Sequence, residues 1–89
     1  MKNVYVIGVF DLFHFGHVEL LRRAKELGDR LIVAINGDEM VASYKRRPFL
    51  SEQDRLEVVK ACRYVDDAFI IHGYDNKEYI KKYDIDIIV

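Results

Sequence analysis

An apolar run from Val4 to Val9 gives way at Gly8–His17 to Val18, Leu21 and Ala24 at helical spacing, and this strand-to-helix junction limits the folds open to the chain. The alternation then repeats. The pattern predicts a strand over Val4–Val9, a helix over His17–Leu27 closed by Gly28, a strand over Arg30–Ile35 and a short helix over Asp38–Tyr44. After a loop around Pro48 it predicts a helix over Ser51–Arg63, a strand over Ala68–Ile71, a helix over Asn76–Tyr83 and a strand over Ile85–Val89.

Strands separated by helices in this way pair in parallel, so the expected class is α/β, a Rossmann-like three-layer fold that binds ligands where the strand order reverses. No repeat, low-complexity segment or linker divides the chain, and residues 1–89 read as a single nucleotide-binding domain. Ser51 with Asp54 three residues on is a close variant of a capping box, which places Arg55 in the first turn of its helix.

The junction Gly8-Val9-Phe10-Asp11-Leu12-Phe13-His14-Phe15-Gly16-His17 carries the chemistry. Gly8 and Gly16 lack a Cβ, so a tight turn and close approach of a ligand to the backbone are expected. A helix starting near Gly16 would aim its unpaired N–H groups and positive dipole end beyond the strand, where a triphosphate fits. His14 and His17 add donors that can carry a proton near a phosphate, since an unperturbed imidazole titrates near pH ~6.5. Each can stabilise charge developing on a phosphoryl group. Zinc is the competing use of such a pair, but no third Cys or His ligand lies at short spacing, and the reading assigns no metal ligands.

Composition permits this reading and excludes others. With 51% hydrophobic residues, 89 residues form a core, though burial alone stabilises so short a domain only marginally. A net charge of −1 with 33% charged residues argues against a nucleic-acid or acidic-membrane binder. Lys45-Arg46-Arg47 is the single basic cluster. One cysteine, Cys62, makes no internal disulfide, and no cleavable signal pattern or long apolar span appears in these residues, so a reducing cytoplasm is the expected location.

The string at residues 8–17 resembles the HxGH signature of the nucleotidyltransferase superfamily. In its GxFDxxHxGH form it is similar to the cytidylyltransferases acting on glycerol 3-phosphate, phosphocholine and phosphoethanolamine. The resemblance runs the length of the chain with almost no gaps. It implies transfer of CMP from CTP to an alcohol phosphate with release of pyrophosphate, Mg2+ entering on the triphosphate, and a homodimer. His14, His17 and Lys45 would be catalytic. Gly8, Val9, Phe10, Asp11, Gly16, Arg46, Arg55 and Arg63 would serve the nucleotide, and Tyr74 and Lys77 the acceptor.

Lys45 falls where the choline and ethanolamine enzymes carry an active-site lysine, whereas Arg46 falls where the glycerol 3-phosphate enzymes have a lysine, a change that is not neutral at a point-charge site. Glu52-Gln53-Asp54-Arg55 resembles the family's ExxR helix. Arg63-Tyr64-Val65-Asp66-Asp67 resembles its RYVDE segment near the dimer contact. Arg55 and Arg63, eight apart, are expected near one face of a helix. Tyr74 occupies a position where relatives place a tryptophan, which suits a quaternary ammonium, and Lys77 matches a lysine used on an acceptor phosphate. Glycerol 3-phosphate is favoured narrowly.

The departure from the family comes after the fourth strand, where the RTxGISTT segment that holds base and triphosphate would follow. The chain is therefore expected to be truncated there, with Ile87-Ile88-Val89 left as an apolar strand lacking a sheet neighbour. The alternatives are an adenylyltransferase of FAD-synthetase type, which shares HxGH, and a non-catalytic nucleotide-binding module.

Overall fold

A computed structural model describes residues 1–89. The elements run β1 (Asn3–Gly8), α1 (Phe15–Glu26), β2 (Arg30–Asn36), α2 (Asp38–Ala42), α3 (Glu52–Lys60), β3 (Asp67–Ile71), α4 (Lys77–Lys82) and β4 (Ile87–Ile88). All strand pairings are parallel, in the order β3-β2-β1-β4. Every expected element is present, with shifted ends. The chain lays down β1, β2 and β3 in one direction and then returns to place β4 on the other side of β1, so the strand order reverses at β1.

Alternation along the two central strands builds a core on each face of the sheet. Val4 and Val6 of β1 with Leu31, Val33 and Ile35 of β2 meet Leu21 and Ala24 of α1 and Val59 of α3. Tyr5 with Ile32 and Ala34 faces the opposite way, against Met40 of α2 and Tyr79 of α4. Burial on both faces is why these strands read as continuous apolar runs. Register sets Gly8 opposite Ile35, which brings the carboxyl ends of β1 and β2 side by side.

The ends move for local reasons. α1 begins at Phe15 rather than His17 because His14 takes the cap, its backbone extended and its imidazole accepting from Gly16 N–H. Ser51 caps α3 as expected, its hydroxyl accepting from Asp54 N–H at 3.2 Å. α3 closes at Lys60, where Ala61 donates back to Glu57 and Val58, so Arg63 lies beyond the helix and shares no face with Arg55. β4 has a sheet neighbour after all: Ile87 pairs with Val4 and Ile88 with Tyr5. No helix is long and apolar enough to cross a membrane.

Candidate functional site

The loop from Val9 to His14 leaves β1 at the point of strand reversal and enters α1. The two histidines lock each other at its end. His14 Nδ1 accepts from Gly16 N–H at 3.0 Å, and His17 Nδ1 accepts from His14 N–H at 3.0 Å, a capping box built from imidazoles. Their ring centroids stand 4.1 Å apart. A ring nitrogen that accepts an N–H bears no proton, so the cap assigns the proton of each neutral imidazole to Nε2.

This arrangement corrects the expectation that free helix N–H groups present themselves to a ligand. Two of those N–H groups are taken by imidazoles, and the Nε2–H groups become the donors in their place. Burial, and after it the neighbouring His14, lowers the His17 pKa, against an opposing effect of Asp11, so the neutral ring is favoured. His17 is further fixed by aromatic neighbours: Phe13 lies nearly parallel at 5.3 Å and Phe10 at 5.6 Å.

The glycines serve these rings rather than a left-handed turn. A Cβ at Gly16 would stand 2.7 Å from His14 Cε1, and one at Gly8 would stand 2.7 Å from the Phe10 ring. The left-handed backbone falls instead on Phe10 (φ 54°) and Leu12 (φ 51°), which lack that freedom and store strain in the loop.

Asp11 reaches across to the basic segment. Its carboxylate accepts from Phe49 N–H at 2.8 Å and Leu50 N–H at 2.9 Å. Burial pushes the Asp11 pKa up, but the Leu50 and Phe49 N–H groups, with Arg55 behind them, hold it below the usual carboxylate value. Asp11 is thus a latch that holds Lys45–Phe49 against the histidine loop. Lys45 lines two adjoining hollows that share Val9 and Asp11. One, of about 340 Å³, includes Gly8, Phe10 and His17; the other, of about 130 Å³, includes Arg46 and Arg47. Arg47 pairs with Glu39, whereas Lys45 and Arg46 lie against the rings of Tyr44 and Phe49 and form no salt bridge.

Arg55 stands behind this surface. Its side chain is wholly buried and donates to Val9 O (2.9 Å), Asn36 O (2.7 Å), Leu50 O (3.1 Å) and Asp38 Oδ1 (2.6 Å). With its donors committed to protein it positions the loops rather than contacting a nucleotide. Arg63 is exposed, donates to Tyr64 Oη at 2.9 Å, and lines a different, largely apolar groove of about 390 Å³ between α1 and α3. That groove is the largest concavity, but it lacks the convergent polar groups of the smaller hollows. Asp66, in the same segment, accepts from Leu31 N–H at 2.7 Å and pairs with Lys25.

Tyr74 lies on the β3–α4 connection and Lys77 opens α4, both exposed. The Tyr74 hydroxyl bonds that of Ser43 at 2.8 Å, and its ring stands 6.4 Å from Tyr44. Tyr74 therefore adjoins the end of α2, from which the basic segment departs. Sequence reasoning missed Ser43, Asn36 and the reciprocal bonds in which Glu52 accepts from Asp38 N–H (2.8 Å) and Asp38 from Glu52 N–H (3.3 Å). No local pattern marks these contacts, because each joins segments distant in sequence.

The chain is similar to several known proteins. A family model described as Cytidylyltransferase-like matches residues 5–89. An "Ethanolamine-phosphate cytidylyltransferase" of Arabidopsis thaliana is 44% identical over 91 residues, covering 99% of this chain and 22% of its own length. A "FAD synthase" of Thermococcus kodakarensis is 46% identical, covering 97% and 59%, and a "Glycerol-3-phosphate cytidylyltransferase" of Staphylococcus aureus is 40% identical, covering 100% and 68%. The solved structure titled as the lipopolysaccharide core biosynthesis protein from Thermoplasma volcanium superposes with a TM-score of 0.92 at 33% identity, over 99% of this chain and 72% of that one. The chain thus spans from about a fifth to two thirds of the length of these curated relatives.

Proposed function

Because this chain belongs to the cytidylyltransferase-like family, within the nucleotidyltransferases, we propose that it transfers CMP from CTP to a small alcohol phosphate, with glycerol 3-phosphate the leading acceptor. The observation that carries the reading is the imidazole pair at the carboxyl end of β1, with both Nδ1 atoms bound to backbone and Lys45 on the adjoining hollow.

In the proposed reaction an oxygen of the acceptor phosphate attacks the α-phosphorus of CTP directly. A new P–O bond forms, the bond to the β-phosphate oxygen breaks, and its electron pair leaves with pyrophosphate. The Nε2–H groups of His14 and His17 donate to α-phosphate oxygens, where charge grows in the transition state, and preorganised donors of this kind are worth about 10²–10³ in rate each. Lys45 and Arg46 add positive charge from the adjoining basic segment. Val9 and Phe10 offer backbone contacts. Magnesium would enter on the nucleotide and neutralise phosphate charge; no three His, Cys, Asp or Glu side chains converge to hold it, and both Asp11 oxygens already accept N–H groups.

Lys77, exposed and in no salt bridge, supports an acceptor phosphate that carries no cationic headgroup, such as glycerol 3-phosphate. Phosphoethanolamine or phosphocholine is the second reading, supported by exposed Tyr74 and the 44%-identical relative. Adenylyl transfer to a flavin mononucleotide is the third, supported by the 46%-identical relative. We also propose a homodimer that uses the Arg63–Asp67 segment beside the apolar α1–α3 groove.

The test is pyrophosphate release with Mg2+, CTP or ATP, and a panel of glycerol 3-phosphate, phosphoethanolamine, phosphocholine and flavin mononucleotide. Release with CTP and one acceptor, abolished by His17→Ala in a folded protein, supports the reading and names the acceptor. Turnover unchanged by His17→Ala removes the histidines from the mechanism.

A further inference from the structure

The segment that carries Tyr74 and Lys77 is tied to the sheet by a side chain that no motif picks out. Tyr5 lies in the middle of β1, fully buried, with its ring near Phe69 at 6.3 Å. Its hydroxyl makes one bond, to Asn76 Oδ1 at 3.0 Å, and Asn76 Nδ2 donates in turn to the Tyr74 carbonyl at 3.2 Å. Burial, followed by the neighbouring Tyr79 and Tyr83, pushes the Tyr5 pKa up to about 12, so the hydroxyl is a neutral donor at any working pH.

Asn76 is the N-cap residue of α4, yet its side chain makes no cap bond. Asparagine is among the best capping residues, and here its amide is committed to Tyr5 and Tyr74 instead. The hydroxyl has no packing role either, because a phenylalanine ring would fill the same space beside Phe69. β1 continues three residues from Tyr5 to Gly8 and the histidine loop, so one rigid strand holds both ends of the arrangement.

We propose that Tyr5 is a positioning residue for the acceptor: through Asn76 its hydroxyl sets where Tyr74 and Lys77 stand relative to the histidine pair. This rests on the reading that Tyr74 and Lys77 face the acceptor.

The experiment compares Tyr5→Phe, Asn76→Ala and the double variant with Tyr74→Ala and Lys77→Ala, using CTP and whichever acceptor of the panel supports turnover. Loss of the Tyr5–Asn76 bond is expected to raise the acceptor KM about 5-fold in Tyr5→Phe, and at least as far in Asn76→Ala, which also loses the bond to the Tyr74 carbonyl. The double variant should rise no further than Asn76→Ala alone, because that substitution already removes the bond that Tyr5→Phe breaks. The KM for CTP should stay within about 2-fold, and backbone amides of residues 72–77 should exchange faster with solvent. An unchanged acceptor KM in Tyr5→Phe, with a raised one in Tyr74→Ala, would remove Tyr5 from acceptor positioning. A rise in both KM values together with a fall in kcat would mark general loosening and equally overturn the proposal. If neither Tyr74→Ala nor Lys77→Ala alters the acceptor KM, the reading of the segment fails and the proposal falls with it.

Discussion

Replacing Arg55 with Met keeps the length of the side chain and removes its donors. The loss leaves three backbone carbonyls and the Asp38 carboxylate without their partner in the interior, where the Arg55 side chain is 0% exposed. Breaking a buried ion pair from one side costs about 3–5 kcal/mol, because the remaining charge is left without compensation. Here the Asp38 side chain is 19% exposed, so water can reach it, and the lower half of that range is expected. Against the 5–15 kcal/mol typical of folded domains this is a large fraction, and at roughly 4–8 °C per kcal/mol for a domain this small it lowers Tm by about 12 °C or more. The assay is urea unfolding followed by far-UV circular dichroism at pH 7. Asp38→Asn in the Arg55→Met background is expected to recover part of the loss by removing the stranded charge, which a mere packing defect would not allow. A loss under about 1 kcal/mol in Arg55→Met, or no recovery in the double variant, would refute the view that this guanidinium clamps the loops.

Gly16→Ala should leave stability within about 1 kcal/mol, since alanine favours the helix, while kcat falls at least about 10-fold because the new Cβ, 2.7 Å from His14 Cε1, displaces the imidazole; unchanged turnover would show that His14 tolerates another pose. Lys45→Ala should lower kcat about 10²-fold and Arg47→Ala, whose charge is already paired with Glu39, by less than about 3-fold, as steady-state kinetics will report; equal effects would argue against a special place for Lys45. The His17 pKa is depressed in the fold, so the unfolded chain binds the proton first. The contribution of His17 to stability is then present above about pH 6.5 and lost as pH falls through the lower folded value. Protonation also removes the acceptor of His14 N–H, and the acid limb of kcat/KM is expected below about pH 6.5, a profile that a limb above pH 7 would contradict.

The alternation of apolar strands and helices was legible because its causes are local. Val4–Val9 and Arg30–Ile35 are apolar on both faces, and a strand of that kind must lie inside a parallel sheet. The histidine pair was legible for the same reason, since His14 and His17 sit three apart at a strand-to-helix turn and bond each other across that short interval. Gly16 was visible too, though its use was not: it makes room for an imidazole rather than for an unusual φ.

The sequence by itself determined the class of fold and set His14 and His17 three apart at the turn that follows β1. Tertiary structure alone decided the rest, because the remaining contacts join residues far apart in the chain. Arg55 was expected to serve the nucleotide, and packing shows how it is held, its side chain buried and donating to Val9, Asn36, Asp38 and Leu50. Arg63 left its helix because α3 closes at Lys60, and Asp11 became a latch only when Phe49 and Leu50 came within 2.9 Å of it. Spacing along a strand or helix is set by backbone geometry and can be read from residue order. The partner of a buried polar group is set by whichever distant segment the folded core brings against it.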